Sequence, residues 1–155
     1  MDNHQAIANL QPQTIWKLFA DLANISRPSG QEEGVRNWLI GLADENGWKY
    51  EVDNTGNLVI YKDAQHSSSD KTLLLQAHMD MVTESDPDKI IDFTKDPITL
   101  KQEGEWLMAD RTTLGSDNGL GLVAIVALLL DKEVPHPALQ ALFTVDEEVG
   151  LTGAL

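Results

Sequence analysis

The chain has 155 residues, of which 42% are hydrophobic, so it is long and apolar enough for one folded domain and is not intrinsically disordered. Its formal net charge of −14 argues against nucleic acid or an anionic membrane as a partner. It has no cysteine, which excludes disulfide bonds and thiolate-bound zinc. Residues 1–10 lack the regions of a signal peptide, and the apolar stretch 119–130 is shorter than the roughly 20 residues that span a bilayer. We therefore expect a cytoplasmic protein without a membrane partner.

Two amphipathic helices are predicted near the start of the chain. Apolar residues recur at helical spacing over residues 15–25, with Thr14 as the expected N-cap. Residues 26–30 form a turn-rich break, and a second helix then runs to a left-handed C-cap at Gly47.

The rest of the chain is predicted to alternate between strands and one helix. The predicted strands are residues 48–52, 57–61, 72–77, 105–109 and 138–145. The first two pair as a hairpin across a turn at residues 53–56. Residues 82–104 are rich in charge and are predicted to be a long surface excursion without strands. Asn118 is the expected cap of a buried helix over residues 119–130. Apolar strands flanked by helices indicate an α/β layer fold whose sheet is covered on both faces.

Three acidic clusters lie where predicted strands end or where a helix begins. His78 and Asp80 follow one strand, Glu147 and Glu148 follow another, and Asp117 precedes the buried helix. Ligands of open α/β sheets bind beyond the carboxyl ends of the strands, so the three clusters can meet in one crevice. One imidazole and several carboxylates suit a hydrolytic zinc site, and a glutamate beside the ligands could serve as general base.

Each cluster alone also has an ordinary interpretation. His78 and Asp80 share one face of an extended segment, so Asp80 could hydrogen-bond the imidazole, but for this pair alone solvation of both side chains is the favoured interpretation. Asp117 begins an Asp-Asn-Gly sequence that is typical of turns and helix caps. Glu147 and Glu148 are either an exposed acidic turn or a pair held together by a cation, one as a ligand and the other handling protons.

The sequence around these clusters resembles the aminoacyl-histidine dipeptidases, the Xaa-His branch of the dinuclear-zinc aminoacylase and carboxypeptidase superfamily. The segments that carry the resemblance are residues 53–57, 75–82, 92–98, 112–119 and 144–150. The resemblance covers nearly the whole chain. It implies a zinc-aminopeptidase-like three-layer α/β sandwich with a mixed sheet, incomplete in this chain.

The resemblance also implies a role for each candidate residue. His78 binds one zinc ion, Glu148 binds the other, and Asp117 bridges the two and precedes a cis peptide bond. Asp80 orients His78, and Glu147 is the general base. The implied cofactors are two zinc ions, with cobalt or manganese as substitutes. The implied substrate is a dipeptide, preferentially one that ends in histidine.

Two departures from the family pattern stand out. Arg111 occupies a position where the family pattern has a glycine, which puts the conformation of that loop in question. The chain is also much shorter than the family, so residues 1–155 are expected to be the N-terminal part of the catalytic domain. The lid and dimerisation domain and the C-terminal half of the catalytic domain are absent. We therefore expect the full-length protein to be a homodimer and the isolated chain to be inactive. The alternatives are a related zinc tripeptidase, aminoacylase or carboxypeptidase, or a non-catalytic truncated chain.

Overall fold

The computed structural model describes residues 2–155, which form four α-helices, six β-strands and a terminal 3-10 turn. The helices are α1 (Asn3–Ala6), α2 (Gln13–Ala23), α3 (Glu33–Asn46) and α4 (Ser116–Leu130), and the turn is Thr152–Ala154. The strands are β1 (Lys49–Val52), β2 (Leu58–Lys62), β3 (Thr72–His78), β4 (Leu100–Glu103), β5 (Trp106–Ala109) and β6 (Ala138–Thr144). Within residues 2–155, no helix is both long and apolar enough to cross a membrane.

The main sheet is mixed and has four strands in the order β1-β2-β6-β3. The β1–β2 and β2–β6 pairs are antiparallel, whereas β3 and β6 are parallel. His78, the last residue of β3, pairs in register with Thr144, the last residue of β6. The carboxyl ends of these two strands therefore lie at the same edge of the sheet, and the predicted α/β fold with a mixed sheet is confirmed.

One face of the main sheet is buried more completely than the other. On β6, Leu139, Ala141 and Phe143 are at most 1% exposed, because alternate residues of a strand share one face and here face the core. The residues between them are only half-buried, and Leu74 on the equivalent face of β3 is 55% exposed. Residues 2–155 thus complete two layers of the expected sandwich and leave the second face of the sheet partly open.

The spacing of apolar residues predicted helices α2 to α4, but the predicted starts of α2 and α4 are wrong. The αL conformation at Gly47, with φ of 68°, ends α3 as predicted. Helix α2 begins one residue before Thr14, after Pro12 and without a side-chain cap, so the predicted Thr14 cap is wrong. Helix α4 packs between α2 and β3 and has Gly115 as its N-cap. Asn118 lies inside α4 with φ of −103°, so the predicted start of this helix is three residues late.

The prediction of an unstructured excursion over residues 82–104 is wrong at its end. Strand β4 pairs with β5 in a separate two-stranded sheet. Ile98 and Leu100 are buried there, and Asn3 fixes both through its side-chain amide, which donates to the carbonyl of Ile98 at 2.9 Å and accepts from the N–H of Leu100 at 2.8 Å. The strand escaped prediction because its four residues include only one buried apolar position among polar side chains.

Candidate metal centre

Three elements bring one potential metal ligand each to the carboxyl edge of the main sheet. His78 ends β3, Asp117 lies in the first turn of α4, and Glu148 lies in the loop after β6. One donor atom from each of the three side chains lies within 4.8 Å of the others. The sequence predicted that these residues would meet in one crevice, and the structure brings them together.

The imidazole of His78 is buried and has a polar partner at each nitrogen. Its Nε2 lies 3.1 Å from Oδ1 of Asp117 and 3.8 Å from Oε2 of Glu147. Its Nδ1 lies 3.1 Å from the carbonyl oxygen of Asp80 and 3.3 Å from Oδ1 of the same residue. Burial alone would lower the pKa of His78, but the contacts with Asp80 and Asp117 outweigh it and raise the pKa to about 9. Asp80 therefore holds Nδ1 and leaves Nε2 facing the carboxylates.

Asp80 also fixes the loop that carries both glutamates. The residue is fully buried, and its two carboxylate oxygens accept the backbone N–H groups of Glu147 and Glu148, each at 3.1 Å. The hydroxyl of Ser29 donates to Oδ2 at 2.6 Å. Burial would raise the pKa of Asp80, but hydrogen bonds from His78, Ser29 and the two amides outweigh it and lower the pKa. The amide contacts were not predicted, because their partners lie 67 and 68 residues away in the sequence.

The backbone at the start of α4 is irregular where Asp117 projects into the site. Asp117 has φ of −87° and ψ of 115°, and its peptide bond to Asn118 is cis, as the family resemblance implied. The Asp117 side chain is 85% exposed, in contrast to the 5% of His78. The site thus has a buried imidazole on one side and a solvent-facing carboxylate on the other.

Two further charged residues beneath the site were missed at the sequence level. Arg27 is 3% exposed, and burial lowers its pKa to about 10 against the opposing effect of the Asp80 and Glu148 carboxylates. Glu32 is 5% exposed and accepts the backbone N–H groups of Gly30 at 2.8 Å and Asp146 at 3.0 Å. Arg27 lies within the predicted turn of residues 26–30, and Glu32 lies just after it. No spacing in the local sequence distinguishes these two residues from charged residues at the surface.

The departure at Arg111 is accommodated by the loop. Arg111 has φ of 63°, in the left-handed region that favours glycine, the residue that the resemblance leads us to expect there. Its guanidinium contacts the carboxylates of Asp86 and Asp88. The arginine therefore keeps the glycine-like backbone conformation and adds two exposed ion pairs.

The residues at this edge fit a divalent metal ion by the chemistry of their donors. A neutral imidazole nitrogen and carboxylate oxygens are ligands that zinc accepts. The carboxylates of Asp117, Glu147 and Glu148 crowd around Nε2 of one histidine, and close like charges repel unless a cation lies between them. An open cleft of about 360 Å³ borders the cluster and is lined by Asp117 and Glu148 together with Val82 and Leu114. The cleft gives a ligand access to the candidate ligands from solvent.

The fold of this chain, a mixed α/β sheet with this cluster at its carboxyl edge, is similar to that of solved peptidases. It is 26% identical to the structure of a tripeptidase from Staphylococcus aureus, with a TM-score of 0.72 over 92% of this chain and 38% of that one. The chain therefore shares its fold with this solved tripeptidase.

The particular resemblance to the aminoacyl-histidine dipeptidases is confirmed. The chain is 41% identical to aminoacylhistidine dipeptidase from Vibrio alginolyticus, with a TM-score of 0.92 over 96% of this chain and 30% of that one. It is 42% identical over 149 residues to the cytosol non-specific dipeptidase of Escherichia coli (strain K12). That match covers 96% of this chain and 31% of the relative, so the chain spans about a third of the length of these relatives. No family model matches the sequence.

Proposed function

We propose that this chain is the N-terminal part of the catalytic domain of a zinc-dependent dipeptidase. The observation that carries the proposal is the convergence of His78, Asp117 and Glu148 from three separate elements onto one cluster. Identity above 40% to two dipeptidases over 96% of the chain supports it. The full-length protein would then include the remaining catalytic half and a lid and dimerisation domain, and it would act as a cytoplasmic homodimer.

Two zinc ions are the proposed cofactors, with cobalt or manganese as substitutes. His78 would hold one ion and Glu148 the other, and Asp117 would bridge both, as the family resemblance implies. The Asp117 carboxylate has two oxygens, and its side chain is 85% exposed. When bound, zinc supplies Lewis acid chemistry: it polarises a peptide carbonyl and lowers the pKa of water.

Asp80 and Glu147 would take the two remaining roles. Asp80 holds Nδ1 of His78, so that Nε2 is left as the ligand atom. Glu147 lies at the same edge, with Oε2 3.8 Å from Nε2 of His78, and its side chain is 37% exposed. A carboxylate in that position would accept a proton from the attacking water and pass it to the leaving amine. The backbone bond from Glu147 to Asp80 keeps the general base beside the ligands.

The proposed substrates are dipeptides, preferentially those ending in histidine. This preference rests on the resemblance, since the Vibrio alginolyticus relative is named for aminoacylhistidine substrates. The Escherichia coli relative is named as non-specific among dipeptides. The similarity to a tripeptidase makes tripeptides the second candidate class.

The test compares the turnover of two variants of the full-length protein. One is Glu147→Gln, and the control is Glu45→Gln at an exposed position of α3. Loss of the general base is expected to lower kcat by about 100-fold or more, while the Glu45→Gln protein keeps wild-type turnover. A chelator should abolish turnover, and added Zn²⁺ should restore it. Xaa-His dipeptides should be cleaved faster than tripeptides or acylated amino acids. Normal turnover in the Glu147→Gln protein would contradict the mechanism.

A further inference from the structure

The segment of residues 27–32 contacts all three chain segments that carry the candidate ligands. It lies between α2 and α3, distant in sequence from every one of those segments. We propose that this segment is a clamp that sets the spacing of the metal ligands, with Arg27 as its central positioning residue. The effect on metal binding rests on the proposed function, whereas the bracing of the three loops does not.

Arg27 ties the end of β3 to the start of α4. Its Nη1 donates to the carbonyl oxygens of Met79 at 3.1 Å and Asp80 at 3.0 Å. Its Nη2 donates to the carbonyl oxygen of Gly115, the N-cap of α4, at 2.5 Å. A guanidinium has donors in a rigid planar fork, so one side chain holds both backbones in a fixed relation. His78 and Asp117 each lie within two residues of a carbonyl that Arg27 holds.

Two glycines at the start of α4, the N-cap Gly115 and Gly119 in the helix, leave the space that the guanidinium occupies. A Cβ atom at Gly115 would collide with Nη2 of Arg27 and with the sulfur of Met81. A Cβ atom at Gly119 would lie 2.8 Å from the same Nη2 and 3.1 Å from the ring of Phe19. These glycines are therefore required for packing as well as for backbone conformation. A residue with a Cβ atom would leave too little room for a buried arginine this close to the helix backbone.

The rest of the segment secures the other loops. The backbone beside Pro28 forms a parallel bridge with Met81, and the N–H of Met81 donates to the carbonyl of Arg27 at 3.1 Å. Ser29 donates to Asp80, which in turn holds the amides of Glu147 and Glu148. Glu32 accepts the N–H of Asp146, the residue before Glu147. The loop after β6 is thus held from two sides by one short segment.

The variants Arg27→Met and Arg27→Lys test the clamp in the full-length protein, with Arg36→Met as a matched control. Arg36 lies in α3, and within residues 2–155 its side chain donates to the carbonyl of Gly56 alone. The first readout is hydrogen exchange of the metal-free protein over residues 115–120 and 146–149. The second is the affinity for Co²⁺ and the visible spectrum of the bound ion, which reports its coordination geometry.

Arg27→Met should accelerate exchange in both stretches and weaken Co²⁺ binding by about 10- to 100-fold, the typical loss when a residue that supports metal ligands is removed. Arg27→Lys should give an intermediate loss and an altered Co²⁺ spectrum, because a compact ammonium cannot span both backbones as a fork does. Arg36→Met should leave the exchange, affinity and spectrum unchanged.

Unchanged exchange in both stretches, in whichever Arg27 variant folds, would overturn the clamp. So would wild-type Co²⁺ affinity and spectrum in that variant. If the wild-type protein binds no Co²⁺ while an Arg27 variant still exchanges faster at both stretches, the proposed function fails and the clamp is upheld. Should Arg27→Met fail to fold, Arg27→Lys decides by the same readouts.

Discussion

Two regions of this molecule are rich in charge and differ in how that charge is held. Beside the candidate metal ligands, Arg27, Glu32 and Asp80 are all 5% exposed or less, and each bonds to backbone groups from distant parts of the chain. In residues 82–113, which include β4 and β5, charged side chains pair with one another near water. These pairs are Lys89–Asp110, Lys95–Asp92, Lys101–Glu103, Arg111–Asp86 and Arg111–Asp88.

Burial, rather than charge density, distinguishes the charged residues that hold the backbone of the site. An exposed ion pair contributes about 0 to 1 kcal/mol, because water and salt screen it. A buried charged group bonded to backbone amides costs more to remove, since the partner groups lose both their bond and access to water.

The largest expected difference is between two glutamates. Glu32→Ala should lower the free energy of unfolding by about 2 to 4 kcal/mol, because the N–H groups of Gly30 and Asp146 lose their acceptor. Glu103→Ala should change it by less than about 0.5 kcal/mol, because the Glu103 side chain is 62% exposed and its ion pair is the exposed one with Lys101. Urea unfolding midpoints measure both. Equal effects from the two substitutions would remove the distinction between the regions.

Two helical glycines give the next largest difference, with opposite signs. Gly119→Ala should lower the free energy of unfolding by about 1 to 3 kcal/mol, because the added methyl group meets Arg27 and Phe19 in a filled space. Gly41→Ala in α3 should raise it by about 0.5 to 1 kcal/mol, because nothing lies within 4 Å of its Cβ position and alanine favours a helix. Thermal unfolding of the two variants measures both. A stabilising Gly119→Ala would show that the packing around Arg27 is loose.

The same contrast explains how far the sequence could predict this structure. The strands that end at His78 and Thr144 were predictable because each is a local apolar run, and their parallel pairing then sets the candidate ligands side by side. Arg27 and Glu32 were not, because the partners that tie them to the site lie 52 to 114 residues away and leave no local period. Strand β4 was missed because its local sequence has no apolar run: one buried leucine is followed by three polar residues.

The smallest expected effect lies at Arg111, where conformation and charge oppose each other. Arg111→Gly relieves a left-handed conformation that costs a non-glycine residue about 1 kcal/mol, but it removes the pairs with Asp86 and Asp88. At low salt the two effects should nearly cancel. At 1 M NaCl the Debye length is about 3 Å, so the pairs are screened and the glycine variant should be more stable by about 1 kcal/mol. The double variant Asp86→Asn with Asp88→Asn is the control, since it removes the pairs without changing the backbone at position 111. Its loss of stability should vanish in the same salt. If the Arg111→Gly effect does not vary with salt, the arginine is held by something other than its two exposed carboxylates.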